Sequence, residues 1–223
     1  MKSKYNDKNV HYRIGRLVHH DGIETYFQQH YSASNTVLEL GAGTGIGTTA
    51  LSTYFHKVIA VEPVTEMLDS YKSNTENANV VFINSDVESL DISRLSFQYI
   101  ICFQATHWFY ETPNYQSLYK KAEKPVIDIC SFISFPNDQP FFDELAQKQT
   151  IAQSHRGTKY PFEIAEQYSY QKYITIDHAA HQLCSRSWID HTHFPHIRAT
   201  IAERYGDGSI LVNIETRIHN IIT

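Results

Sequence analysis

The chain has 223 residues, with 19 Lys and Arg against 24 Asp and Glu and a formal net charge of -5. That length suits a single α/β domain with one substantial core, and the absence of a basic run argues against nucleic-acid binding. No apolar run reaches the length of a membrane span, and the polar start MKSKYNDKNVHY lacks the apolar stretch of a secretory signal, so a soluble, cytoplasmic protein is expected.

Taken in chain order, Thr36 to Gly41 reads as a short buried strand, Thr48 to Phe55 as a helix and Lys57 to Glu62 as a second strand. Pro63 suits a first helical turn, and Met67, Leu68 and Tyr71 recur at helical spacing before a third strand, Asn79 to Asn84. Gln98 to Phe103 gives a fourth strand, Leu118 to Ala122 lies on the next helix, and Pro125 to Phe135 gives a fifth. Strands without polar alternation, separated by helices, form a mainly parallel sheet covered on both faces.

The rhythm changes after Phe135, where prolines, aromatic pairs and one helix around Phe141 to Gln153 suggest an insertion at 136–168. Tyr170 to Asp177 resumes the sheet, and Ser209 to Ile218 alternates as an edge or antiparallel strand would. The expected fold is therefore α/β and Rossmann-like: a seven-stranded, mostly parallel sheet with helices on both faces, an antiparallel last strand and a small cap insertion. One domain is expected over 1–223, with an N-terminal helical or lid segment at 1–35.

The stretch VLELGAGTGIG carries the chemistry. A strand ending in closely spaced glycines lets a ligand press on the backbone, and the following helix offers amides with partial positive charge. A dinucleotide or a nucleoside could fit, but GAGTGIG departs from GxGxxG, and a carboxylate at Glu39 suits a cationic ligand better than a pyrophosphate. Glu62, ending the next strand, can accept bonds from both ribose hydroxyls, and Asp86, after the third strand, from an adenine amino group. These acids describe an adenosine with an amino-acid tail.

The arrangement resembles the class I S-adenosylmethionine-dependent methyltransferases over nearly the whole chain. VLELGAGTG is similar to the first motif of that family, VIAVEP to its ribose-binding strand end and NSDVESL to its adenine-binding turn, while FQATHWF looks like the QAxHWF segment of a small-molecule branch related to the trans-aconitate type. CSRSWI and NIETRI are more weakly similar to that branch's closing segments. KKAEKPVIDI departs from the family by lacking the paired glycines before the fifth strand.

The resemblance implies that S-adenosylmethionine is the cofactor and S-adenosylhomocysteine its product. Gly41, Ala42, Gly43 and Gly45 would form the cofactor loop, Glu39 would hold the methionine amino group and Glu62 the ribose. Asp86 and the Val87 backbone would hold adenine, with Pro63 and Met67 packed near the base. Gln104 would contact cofactor or substrate, Trp108 would be a wall, and His107 is the candidate proton acceptor for a hydroxyl or amine substrate. A small organic substrate with an O, N or S acceptor is expected; oligomeric state is not legible.

Two alternatives stay open: a cofactor-binding subunit without methyl transfer, and S-adenosylmethionine chemistry other than methylation. QATHWF lacks the Asn- or Asp-Pro-Pro-aromatic signature of nucleic-acid amino-methyltransferases. The histidines of HAAH, 178–181, and HTHFPH, 191–196, lack the acids or cysteines of a metal site, and none is expected. Cys102, Cys130 and Cys184 are widely spaced, without CxxC, and read as buried free thiols. His11, Tyr12, His19 and His20 are candidates for a lid. Phe141, Phe142, Tyr160 and Phe162 either line a substrate cap or form its own core.

Overall fold

A computed structural model describes residues 9–16, 22–72, 78–150, 159–186 and 189–222. Its strands are β1 (Thr36–Leu40), β2 (Lys57–Val61), β3 (Val80–Ile83), β4 (Tyr99–Phe103), β5 (Ile127–Ser134), β6 (Phe162–Ile174) and β7 (Ile210–Ile221). The helices are α1 (Asn9–Gly15), α2 (Gly22–His30), α3 (Ile46–Tyr54), α4 (Thr65–Lys72), α5 (Pro113–Lys121), α6 (Gln139–Lys148), α7 (Ile176–Cys184) and α8 (Phe194–Tyr205). The strands form one seven-stranded sheet in the order β3-β2-β1-β4-β5-β7-β6. It is mostly parallel with an antiparallel strand, as expected, and the fold is Rossmann-like.

The described residues fall into two units. The first gathers those within 19–131, 157–168 and 216–223, the second those within 1–18, 132–156 and 169–215. In the first, successive residues of the central strands feed opposite faces. Val37, Val58, Ala60 and Ile101 join Phe27, Leu51 and Phe55 in one apolar cluster. Leu38, Leu40, Ile59, Ile100 and Cys102 join Tyr115 and Leu118 in another. Both faces are dry, which is why these strands read as unbroken apolar runs. The second unit has its own core of Phe135, Phe142, Leu183, Ile197 and Val212 among others, with the rings of Phe135 and Phe142 stacked at 3.5 Å.

β1 pairs in parallel with β2 on one side and β4 on the other, so that Glu39 lies level with Ala60 and Ile101. The chain order reverses between these neighbours, and open sheets form their ligand crevice at the carboxyl ends of the strands flanking such a switch. Residues 41–45 follow β1 and residues 104–110 follow β4.

Several sequence expectations need correction. Pro63 lies outside helix α4, which starts at Thr65, because Glu62 takes the Val64 amide and the Met67 amide turns back to the Val64 carbonyl. β6 begins at Phe162 and ends at Ile174, while Ile176 and Asp177 open α7 behind the Thr175 cap, whose hydroxyl accepts from the His178 amide. Much of β6 is exposed and polar, so it carries no hydrophobic signal. β7 is seated between β5 and β6, not at the sheet edge. His19, His20 and residues 151–158 lie outside the described residues.

Candidate functional site

Three glycines make the loop after β1. Gly41 has φ 76° and Gly45 has φ 83°, a left-handed backbone that side chains oppose. A Cβ on Gly41 would stand 2.6 Å from the Ala105 Cβ, and one on Gly45 would enter the Tyr71 ring. The Gly41 and Ala42 amides donate to the Val61 carbonyl at 2.9 and 3.0 Å, and the Gly45 amide donates to the Ala42 carbonyl at 3.0 Å. The loop is thus folded over the end of β2, with Gly41 backed against the turn that follows β4.

Two carboxyls stand beside it. Glu39 is wholly buried; its Oε2 accepts from Thr48 Oγ1 at 2.6 Å, and its Oε1 is buried without a partner. Burial pushes this carboxyl up to about 8, the Thr48 bond opposes the rise, and the neighbouring Glu62 charge adds to it. Glu62 is also buried. Its Oε2 accepts from the Gly43 amide and its Oε1 from the Val64 amide, each at 2.9 Å. Burial raises its pKa, and those two amides work against the rise. An orphaned oxygen on a buried acid with a second acid nearby is an environment that a bound cation would stabilise.

The remaining cofactor candidates are distributed around this pair. Asp86 is half-buried and its Oδ1 accepts from the Ser89 amide at 2.7 Å, a turn-capping contact. Val87 is buried, and its carbonyl accepts from Asn114 Nδ2 at 3.1 Å, while the same nitrogen reaches the Glu88 and Leu90 carbonyls. Asn114, on α5, therefore pins the 86–90 loop, a role with no sequence signal. Met67 is buried and Pro63 is half-buried.

On the other side of the crevice, Gln104 has φ 53°, the one positive value among the described non-glycine residues. Such a backbone costs about 1 to 2 kcal/mol and persists only when its surroundings hold it. Its Nε2 donates to the Ser131 carbonyl at 2.8 Å and its amide to the Ile129 carbonyl at 3.2 Å. His107 and Trp108 follow on a single 3-10 turn, both half-buried, with ring centroids 4.7 Å apart. The sequence reading missed Asp128, which is wholly buried on β5 and receives the Ala105 and Thr106 amides. A lone acid inside the apolar run PVIDIC was the available signal, the same one that marks Glu39 in VLELG.

Residues 37–125 match the model of a family described as a methyltransferase domain. That segment contains the glycine loop, both buried glutamates, Asp86 and the QATHWF turn. An unconfirmed methyltransferase of Dictyostelium discoideum is 29% identical over 112 residues, which are 48% of this chain and 41% of that protein. The chain thus spans about two fifths of the length of the curated relative it matches. Among solved structures, an unconfirmed type II methyltransferase from Anaeromyxobacter dehalogenans aligns with a TM-score of 0.64 at 14% identity, over 92% of this chain and 96% of that one. An S-adenosylmethionine-dependent methyltransferase from Geobacter sulfurreducens, in complex with S-adenosyl-L-homocysteine, aligns with a TM-score of 0.52 at 11% identity, over 100% and 99%. At those identities the structures show a shared fold. The family match supports the class I S-adenosylmethionine-dependent methyltransferase resemblance.

Elsewhere, Cys102, Cys130 and Cys184 are buried thiols outside any disulfide. His178 and His181 share one face of α7, and His191 and His193 lie on a 3-10 turn. Among the described residues no group of three or more His, Cys, Asp or Glu is placed to hold a metal ion, and no helix is long and apolar enough to cross a membrane.

Proposed function

We propose that this protein is an S-adenosylmethionine-dependent methyltransferase of the small-molecule branch to which its QATHWF segment is similar. The observation that carries the reading is the buried Glu39 carboxyl, whose Oε1 lacks a partner beside a glycine loop that a Cβ would block. Those features suit an ammonium group and a close-lying nucleoside. The family match over 37–125 supports the same reading.

When bound, the cofactor supplies an electrophilic sulfonium methyl. Glu39 holds its amino group, Glu62 the ribose hydroxyls, and Asp86 with the Val87 backbone the adenine. Gly41, Ala42, Gly43 and Gly45 let it approach the main chain, while Pro63 and Met67 pack near the base. The turn after β4 faces the acceptor: Gln104 contacts cofactor or substrate, Trp108 forms a wall, and His107 takes the proton from a hydroxyl or an amine. A carboxylate acceptor needs no such base. The main contribution of these residues is to fix two reactants in a dry site, an effect of about 7 to 11 kcal/mol in favourable systems.

Titration calorimetry with S-adenosylhomocysteine, followed by mass spectrometry of a panel of small acids, alcohols, amines and thiols incubated with S-adenosylmethionine, tests the proposal. Binding together with a product one methyl heavier supports it. Absence of binding removes it, and binding without any methylated product replaces it with a non-transferring cofactor-binding protein.

A further inference from the structure

We propose that Asp128 is the positioning residue of the acceptor-side turn: its carboxylate fills the backbone nest made by residues 104–106 and thereby fixes the direction in which His107 and Trp108 leave β4. This deepens, and rests on, the functional reading above.

The nest follows from the backbone. Gln104 is left-handed at φ 53°, and Ala105, at φ −121° and ψ −24°, returns toward the right-handed region. Successive residues of opposite hand point consecutive amides into one concavity, which attracts an anion. Here the anion is the protein's own. Oδ2 of Asp128 accepts from the Thr106 amide at 3.1 Å, and Oδ1 takes a longer contact of 3.4 Å from Ala105. The Gln104 amide goes one residue further along β5, to the Ile129 carbonyl. The nest is closed to an outside phosphate, and the strained segment is tied to Asp128 and Ile129 of β5 by its backbone and to Ser131, further along the strand, by the Gln104 side chain.

A third donor completes the carboxylate. Tyr160 OH donates to Asp128 Oδ2 at 2.7 Å, and its oxygen lies 3.9 Å from Cys130 Sγ. Burial, with Asp128 beside it, holds the Tyr160 phenol protonated well above its ordinary range, so this donor persists at any working pH. Tyr160 also lies against Tyr110, at the far end of the same turn, with centroids 5.9 Å apart. One buried carboxylate therefore fastens the start of the turn and, through Tyr160, packs against its end. An apolar residue at 128 would leave two buried amides without acceptors, and a free turn would let the 104–108 backbone relax out of its left-handed form.

The test compares Asp128→Ala, Asp128→Asn and Tyr160→Phe with the full wild-type chain by amide hydrogen exchange, S-adenosylhomocysteine calorimetry and steady-state kinetics on the acceptor found by the panel. In Asp128→Ala, exchange at Ala105 and Thr106 should accelerate at least about tenfold while Leu38 and Ala60 keep their protection. Affinity for S-adenosylhomocysteine should stay within about twofold, and kcat should fall with little change in the KM for S-adenosylmethionine. Asp128→Asn, whose amide oxygen can still face the nest, should restore part of the protection and part of kcat, and Tyr160→Phe should leave the two amides protected. Should Asp128→Ala not fold, the intermediate protection expected of Asp128→Asn decides the matter. Unchanged exchange at residues 105 and 106, loosening that spreads to β1 and β2, or an opened turn with undiminished kcat would each overturn the assignment. A wild-type protein that does not bind S-adenosylhomocysteine sinks the functional reading separately, since the exchange result still reports whether Asp128 holds the turn.

Discussion

Thr48 Oγ1 donates a 2.6 Å hydrogen bond to Glu39 Oε2, so one oxygen of a wholly buried carboxyl is fixed by α3 while the other has no partner. Burial raises this carboxyl from its ordinary 4.5 to about 8. The native state then keeps a proton that the unfolded chain has released, and the associated stability, complete below the unfolded pKa, is lost as pH rises through the folded one. Ligand-free protein should show a melting temperature that falls between about pH 4.5 and 8, and Glu39→Gln, permanently neutral, should flatten that slope. Thermal scans at matched ionic strength check it; equal slopes in both proteins would deny Glu39 the effect.

The same protonation should be visible in binding. An ammonium seated on Glu39 favours the carboxylate, so S-adenosylhomocysteine should expel a proton near pH 7. Calorimetry in two buffers of different ionisation enthalpy would then give different apparent heats for wild type and equal heats for Glu39→Gln. A wild-type heat independent of buffer would place the ligand's charge elsewhere.

The loop glycines are constrained by what surrounds them. Gly45→Ala puts a methyl into the buried Tyr71 ring at φ 83°, and Gly41→Ala puts one 2.6 Å from the Ala105 Cβ at φ 76°. Each should destabilise by more than about 2 kcal/mol, combining backbone strain with overpacking. Urea denaturation measures the loss. Gly45→Ala should be the worse, because its methyl would stand 1.9 Å from a carbon of the buried Tyr71 ring, against 2.6 Å from the Ala105 Cβ for Gly41→Ala.

What the sequence made legible follows from burial. β1, β2, β4 and β5 are wet on neither face over most of their length, so runs such as TVLEL and KVIAV announce themselves within a residue or two. β6 was half missed because FEIAEQYSYQKYI leaves Phe162, Ile164 and Tyr173 exposed and packs only a minority of its residues. Helix α8 went unseen because Ile197 and Ile201 are its only fully buried described residues. Glu39 and Glu62 were legible because an acid ending or interrupting an apolar strand has no cheap structural excuse. Asp128 carries the same mark, but no glycine loop stood beside it to give the acid a meaning. Thr48 and Asn114 act through hydrogen bonds set by the fold, one to Glu39 and a cluster to the 87–90 carbonyls, which no spacing in the chain encodes.

Glu62 ties the glycine loop after β1 to the turn after β2 by accepting from Gly43 and Val64 with separate oxygens. Glu62→Gln retains one acceptor and turns an amide donor toward one of those N–H groups. The loss should be about 1 to 3 kcal/mol of stability, together with weaker S-adenosylhomocysteine binding. Paired urea titrations and calorimetry would show both effects; a fall in affinity with unchanged stability would mean that Glu62 does not order the loop in the ligand-free state.

Acid should loosen the second unit by a separate route. His11 Nδ1 on α1 lies 2.9 Å from His181 Nδ1 on α7, an arrangement that needs at least one neutral imidazole, and the two rings share Phe194 as a neighbour. Gly15 packs so closely on the His181 backbone that only a residue without a Cβ fits. Burial lowers the pKa of His181 below 6.5, with Asp177 opposing, and burial and Lys172 lower that of His178. A base with a depressed folded pKa contributes stability that is present above about pH 6.5 and lost as pH falls through the folded value. Limited proteolysis at descending pH should therefore cut near α1 sooner in wild type than in His181→Phe, which keeps an aromatic packing surface and cannot charge. Identical acid sensitivity in the two proteins would show that protonation of His181 does not govern how α1 is held.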